Sequence, residues 1–119
     1  MILSPMAKQD PTLDALFQAL ADPTRRAVLA HLASGPAPIS DLAAPHDMAL
    51  PSFLRHITVL EEAGLITSRK SGRVRTCKLA PARLREIEAW LTPYRPLWTR
   101  EKPRYSQLAK SLYAKPSGT

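Results

Sequence analysis

Residues 39–79 read ISDLAAPHDMALPSFLRHITVLEEAGLITSRKSGRVRTCKL, and a helical period gives way within them to a strand period. Ile39, Leu42 and Ala43 predict a short helix that Pro45 limits on its C-terminal side. His46-Asp47-Met48-Ala49 reads as a turn. From Leu50 to about Ala63 a longer helix is expected, opening with Pro51 and Ser52 and closing at Gly64, the residue best suited to a left-handed cap. Phe53, Ile57 and Leu60 fall on one face of it, so Pro51, Arg55, Thr58 and Glu62 project from the other. Beyond the cap, Leu65 to Lys70 and Arg73 to Leu79 carry the β-branched residues Ile66, Thr67, Val74 and Thr76 on either side of Ser71-Gly72, a two-residue hairpin signal.

The flanks are helical. Leu13, Leu16, Phe17 and Leu20 recur at three- and four-residue spacing from Asp10 onward and predict a first helix. Asp22-Pro23 starts a second, with Asp22 placed to cap free amides and Ala27, Val28, Leu29 and Leu32 as its apolar stripe; it ends near Ser34-Gly35. Pro36 to Pro38 reads as a rigid link. Pro81 restarts helix, and the stripe Leu84, Ile87, Trp90, Leu91 runs on toward Tyr94, Leu97 and Trp98, kinked or ended by Pro93 and Pro96. The expected architecture is mainly α with one small β-hairpin as its only strand pair. Its organisation reads as an extension over 1–9, one domain over 10–98 and a basic tail over 99–119, where Leu108, Leu112 and Tyr113 are weakly periodic.

A chain of 119 residues has room for one such domain. Its 17 Lys and Arg against 10 Asp and Glu, a formal charge of +7, call for a polyanionic partner: nucleic acid, or an anionic membrane surface. No apolar run approaches the roughly 20 residues that cross a bilayer, and Met1 to Ala7 lacks a basic, apolar leader pattern, so a cytoplasmic protein is expected. Cys77 is the single cysteine, which leaves no intrachain disulfide and no thiol cluster for a metal.

Short helix, turn, longer helix and hairpin is the order of a winged helix-turn-helix, whose second helix enters the major groove of duplex DNA. Between Arg69 and Arg85 lie seven basic residues, the wing cations Arg69, Lys70, Arg73, Arg75 and Lys78 followed by Arg83 and Arg85, and no acidic one. That run suits phosphate contact with counterion release. The reading surface expected on the longer helix is Pro51, Ser52, Leu54, Arg55, His56 and Thr58. Arg55 is the best base reader among them, because a guanidinium bonds O6 and N7 of guanine together.

Two motifs, Ala19-Leu20-Ala21-Asp22-Pro23-Thr24-Arg25-Arg26 followed by Leu29, and Arg55-His56-Ile57-Thr58-Val59-Leu60-Glu61-Glu62-Ala63-Gly64-Leu65-Ile66, resemble the arsenical-resistance repressor (ArsR) family over roughly residues 10–98. The resemblance implies a homodimeric transcriptional repressor with dimer contacts from the first and last helices. Here those are Leu13, Leu16, Phe17 and Leu20 with Ile87, Trp90, Leu91, Tyr94 and Trp98, more apolar surface than so small a chain buries alone. Family members sense metals through cysteines in the third helix or Asp, His and Glu on the last. This chain has Ser40-Asp41-Leu42-Ala43-Ala44 in the former and Glu86 and Glu88 without histidine in the latter, so no metal or other cofactor is expected. Leu54 also departs, standing where many members carry a small polar residue.

Several residues allow a plainer reading. His56 is either a packing residue at the core edge or a phosphate contact; Arg25 and Arg26 are surface charges or anion holders behind the reading helix. Cys77 is a small hydrophobe, or a redox switch activated by Arg75 and Lys78. His31 and His46 are structural or exposed rather than ligands. No nucleophile with a base, no glycine-rich phosphate loop and no paired carboxylates occur, so no catalytic residues are expected. The alternative to DNA is a winged-helix assembly module whose basic surface meets an acidic protein partner.

Overall fold

The computed structural model describes residues 10–99. The extension expected over 1–9, and all of the basic tail but Thr99, lie outside the described residues. Helices α1 (Pro11–Leu20) and α2 (Pro23–Leu32) start alike. In each an extended aspartate, Asp10 or Asp22, accepts the amide of the third helical residue at 3.1 Å, and a proline takes the first position, where no amide is missed.

Next come β1 (Ala37–Pro38), α3 (Ile39–Ala43) and α4 (Leu50–Glu62). Strands β2 (Ile66–Ser71) and β3 (Val74–Leu79) follow, then α5 (Ala82–Leu91), a 3-10 turn over Thr92–Tyr94 and α6 (Arg95–Thr99). The described chain forms two compact units, one running through Ile87 and the other beginning at Glu88.

Two details differ from the sequence expectation. The hairpin is not the only strand pair: Ala37 and Pro38 lie antiparallel to Cys77 and Thr76, giving a three-stranded sheet in the order β1-β3-β2. As an edge strand, β1 tolerates a proline that a central strand would not. The hairpin turn also sits one residue later than Ser71-Gly72, because Ser71 pairs with Val74 and leaves Gly72-Arg73 as the loop. Gly72 has φ +64° and Arg73 a negative φ, the φ pattern of a type II′ turn, in which glycine takes the first central position.

The hinge between α4 and the wing is built as read from Gly64. That residue has φ +78°, its amide bonds Glu61 O at 2.9 Å, and the Leu65 amide bonds Leu60 O at 3.0 Å. Both bonds of a Schellman cap are therefore made, and the apolar pair that accompanies it, Leu60 and Leu65, is fully buried. The Ala80 amide, bonded to Leu65 O at 2.8 Å, closes the hairpin base. Around this junction lies the core: Leu16 and Ala19 of α1, Val28 and Leu32 of α2, Leu42 of α3, Phe53, Ile57 and Leu60 of α4, and Ile66 and Cys77 of the sheet. Leu16 was expected at a dimer seam; at 0% exposure it is a core residue and has no surface left for a partner.

Candidate nucleic-acid interface

Because Phe53, Ile57 and Leu60 are drawn into the core, the opposite side of α4 faces solvent. Pro51, Leu54, Arg55 and Thr58 are exposed there, with Ser52 and His56 half-buried beside them. Leu54 keeps 37% of its surface, enough for apolar contact with a thymine methyl.

The five wing cations Arg69, Lys70, Arg73, Arg75 and Lys78 are all exposed, and among the described residues none forms an ion pair. Their register is informative. Residues opposite one another in an antiparallel pair share a face, so Ile66–Leu79, Ser68–Cys77 and Lys70–Arg75 make one row. Over the core that row is apolar apart from Ser68, and it becomes doubly cationic at Lys70 and Arg75. Arg69 and Lys78 stand on the other face, opposite Thr76 and Thr67. Lys70 against Arg75 is a like-charge pair that destabilises an isolated hairpin, and a phosphate would relieve it. Arg83, by contrast, is engaged by its own chain at the surface: its Nη1 donates to Glu86 at 2.8 Å, and its side chain lies so close to Gly64 that a Cβ there would stand 3.0 Å from Nε.

Two connections fix α4 relative to its neighbours, and neither was legible in the sequence. Ser68 of β2 donates its hydroxyl to Glu61 of α4, tying the wing to the end of that helix. At the other end, Arg25 donates from Nε to Ala19 O at 2.8 Å, from Nη2 to Gln18 O at 2.9 Å and from Nη1 to His56 Nδ1 at 3.0 Å. It thus links the end of α1, the start of α2 and α4. The Asp22-Pro23-Thr24-Arg25 motif marks the start of α2, but a contact spanning 31 residues leaves no local trace. Arg26 bonds Leu20 O at 2.7 Å, also a structural role.

Asp22 serves as cap and as neighbour of His56, with Oδ2 3.7 Å from Nδ1. Partial burial raises its carboxyl; the Arg25 amide bond, the charges of His56 and Arg25 and the Thr24 amide outweigh that, leaving its pKa below the ordinary aspartate value. A folded pKa below the unfolded one means the stabilisation is complete above the ordinary value and is lost as pH falls through the lowered one. Asp22→Ala is therefore expected to cost about 1 kcal/mol at neutral pH, with the gap from wild type closing in acid below the carboxylate range. Thermal melts of both proteins across that range check it.

Cys77 is fully buried. Burial pushes its thiol up, Glu61 adds to the rise and Arg75 opposes it, with a raised pKa as the result. The small-hydrophobe reading fits this; the thiolate that a redox switch needs is disfavoured. His46 stacks on Phe53, with ring centroids 5.5 Å apart. Among the described residues no three His, Cys, Asp or Glu side chains converge as a metal site, and no helix is long and apolar enough to cross a membrane.

Of the residues expected at a dimer seam, Leu13, Leu20 and Ile87 pack partly against the core, Leu91 is half-buried, and Phe17 is 38% exposed. In the second unit Trp90, Tyr94 and Trp98 are each more than two-fifths exposed and Leu97 is 74% exposed, with Trp90 and Tyr94 rings 5.1 Å apart.

Comparison with known proteins agrees with this geometry. A helix-turn-helix domain family model matches residues 20–69. The HTH-type transcriptional regulator Rv2034 of Mycobacterium tuberculosis is 37% identical over 98 residues, 82% of this chain and 89% of that protein. The arsenical resistance operon repressor of Escherichia coli is 36% identical over 76 residues, 63% of this chain and 62% of the repressor. Among solved structures, an ArsR family transcriptional regulator is similar with a TM-score of 0.71 at 55% identity, covering 76% of this chain and 94% of its own.

Proposed function

This chain belongs to the ArsR family of transcriptional regulators and is a DNA-binding repressor rather than an enzyme, and from that premise we propose how it reads DNA. It works as a homodimer on an imperfect palindrome, its two α4 helices in successive major grooves about one helical turn (roughly 34 Å) apart. Arg55 selects the sequence, with Ser52, Leu54, His56 and Thr58 around it and Pro51 at the helix entrance. Arg69, Lys70, Arg73, Arg75 and Lys78 hold flanking phosphates and supply much of the affinity. Repression follows from occlusion of a promoter, and a cytoplasmic site of action goes with that partner.

The observation that carries this reading is the unneutralised opposition of Lys70 and Arg75 on a ribbon that the Ser68–Glu61 bond ties to the end of α4, the helix whose exposed side carries Arg55. The exposed apolar surface of Tyr94, Leu97 and Trp98, and separately the exposure of Phe17 on α1, supports self-association. Arg55→Ala should lower discrimination between operator and unrelated duplex by about 1–3 kcal/mol. Unchanged operator preference in that variant, measured by competition binding, would move the reader elsewhere. Light scattering at micromolar concentration tests the homodimer, and a monomer there contradicts it.

A further inference from the structure

Nδ1 of His56 stands between two groups with opposite demands. Arg25 Nη1, 3.0 Å away, only donates; the Asp22 carboxylate, with Oδ2 at 3.7 Å, only accepts. One ring nitrogen cannot satisfy both. Accepting from Arg25 leaves a lone pair on Nδ1 and puts the proton on Nε2; donating to Asp22 requires the reverse. The distances decide, since 3.0 Å is a hydrogen bond and 3.7 Å is not. Arg25 is also well anchored, its other nitrogens bonded to Ala19 O and Gln18 O.

We infer that Arg25 is a positioning residue for DNA reading, selecting Nε2–H over Nδ1–H as the tautomer of the neutral His56 ring so that α4 presents a donor for a phosphodiester oxygen of the duplex. The inference rests on the assignment of α4 as the reading helix. Its surroundings fit the ligand: an open hollow of about 300 Å³ is lined by Arg25, Ser52, Arg55, His56 and Val59. With the ring in this tautomer every polar side chain lining it can donate, two of them are guanidinium groups, and no carboxylate takes part. The opposite tautomer would offer the Nε2 lone pair, which repels a phosphate oxygen.

Nitrogen-15 spectra of the free protein in alkaline buffer, where the imidazole is neutral, report the tautomer, with the His56 signal assigned by its loss in His56→Gln. Wild type should show Nε2–H. Arg25→Met leaves the Asp22 carboxylate beside Nδ1 without its competing donor and should show Nδ1–H. Adding Asp22→Asn to Arg25→Met brings an amide that can donate to Nδ1 while still capping α2, and should restore Nε2–H. Affinity for a duplex selected with wild type should fall about tenfold in Arg25→Met and recover in the double variant, a pattern that mere loss of packing does not give.

Nδ1–H in wild type, or Nε2–H retained in Arg25→Met, overturns the role of Arg25. Should Arg25→Met not fold, the wild-type spectrum decides that step. A tautomer that changes as expected with unchanged duplex affinity overturns the donor role of His56. Failure of the underlying reading looks different: the tautomers follow the series while wild type prefers no duplex over any other.

Discussion

Phe53→Ala is expected to lower the stability of the protein by about 3–5 kcal/mol, a large part of what holds a domain of this size together. Phe53 is 1% exposed and stands first among the largest fully buried side chains, so its truncation leaves a cavity as well as lost apolar burial. Its position gives the loss a functional reach. It lies two residues before Arg55 on α4, and its ring stacks on His46 in the turn from α3. Loosening it unseats the start of the helix whose exposed side presents Arg55. Urea unfolding followed by circular dichroism should show a lower midpoint with little change in slope. A loss below about 1 kcal/mol would mean that α4 is not held on the core by this residue.

The combined replacement Lys70→Ala with Arg75→Ala should move two properties in opposite directions. These side chains face each other across β2 and β3 without an acidic neighbour in the register. Removing both like charges relieves the free hairpin and should stabilise the unbound protein slightly, by a few tenths of a kcal/mol. Bound to DNA, the same pair is expected to contact phosphates, two per protomer and four per dimer. Each contact contributes about 0.9 to the slope of log affinity against log salt, so the slope should flatten by between about 3 and 4, with affinity falling for operator and unrelated duplex alike. Salt titrations with both duplexes measure this. A loss confined to the operator would assign base reading to the wing.

Much of the local grammar of this chain was legible because most elements are announced by residues with one physical job. Asp10-Pro11 and Asp22-Pro23 mark helix starts, Gly64 marks a left-handed cap, and Phe53, Ile57 and Leu60 define the buried side of α4, so the exposed side of that helix followed directly. What escaped depends on pairing between distant segments. Ala37-Pro38 carries no strand signal of its own and becomes a strand only because β3 offers an edge. The link from Arg25 to His56 and the Ser68–Glu61 bond are tertiary, and no period reveals them. Leu16 shows the limit of stripe counting: four apolar residues at helical spacing identify a face, but not whether that face meets its own core or another molecule. The basic run from Arg69 to Arg85 was read as one surface. Folded, it divides into a wing with cations on both faces and Arg83, bonded to Glu86 over Gly64.

The central claim is a division of labour, sequence choice by α4 and affinity by the wing. It is tested most directly by selecting bound duplexes from a random pool at physiological salt, in parallel with wild type and Arg55→Ala. Wild type should enrich an imperfect palindrome whose half-sites lie about one helical turn apart, and Arg55→Ala should lose preference within those half-sites while still binding duplex. Enrichment of no sequence by wild type, or of the same palindrome with equal strength by Arg55→Ala, contradicts it.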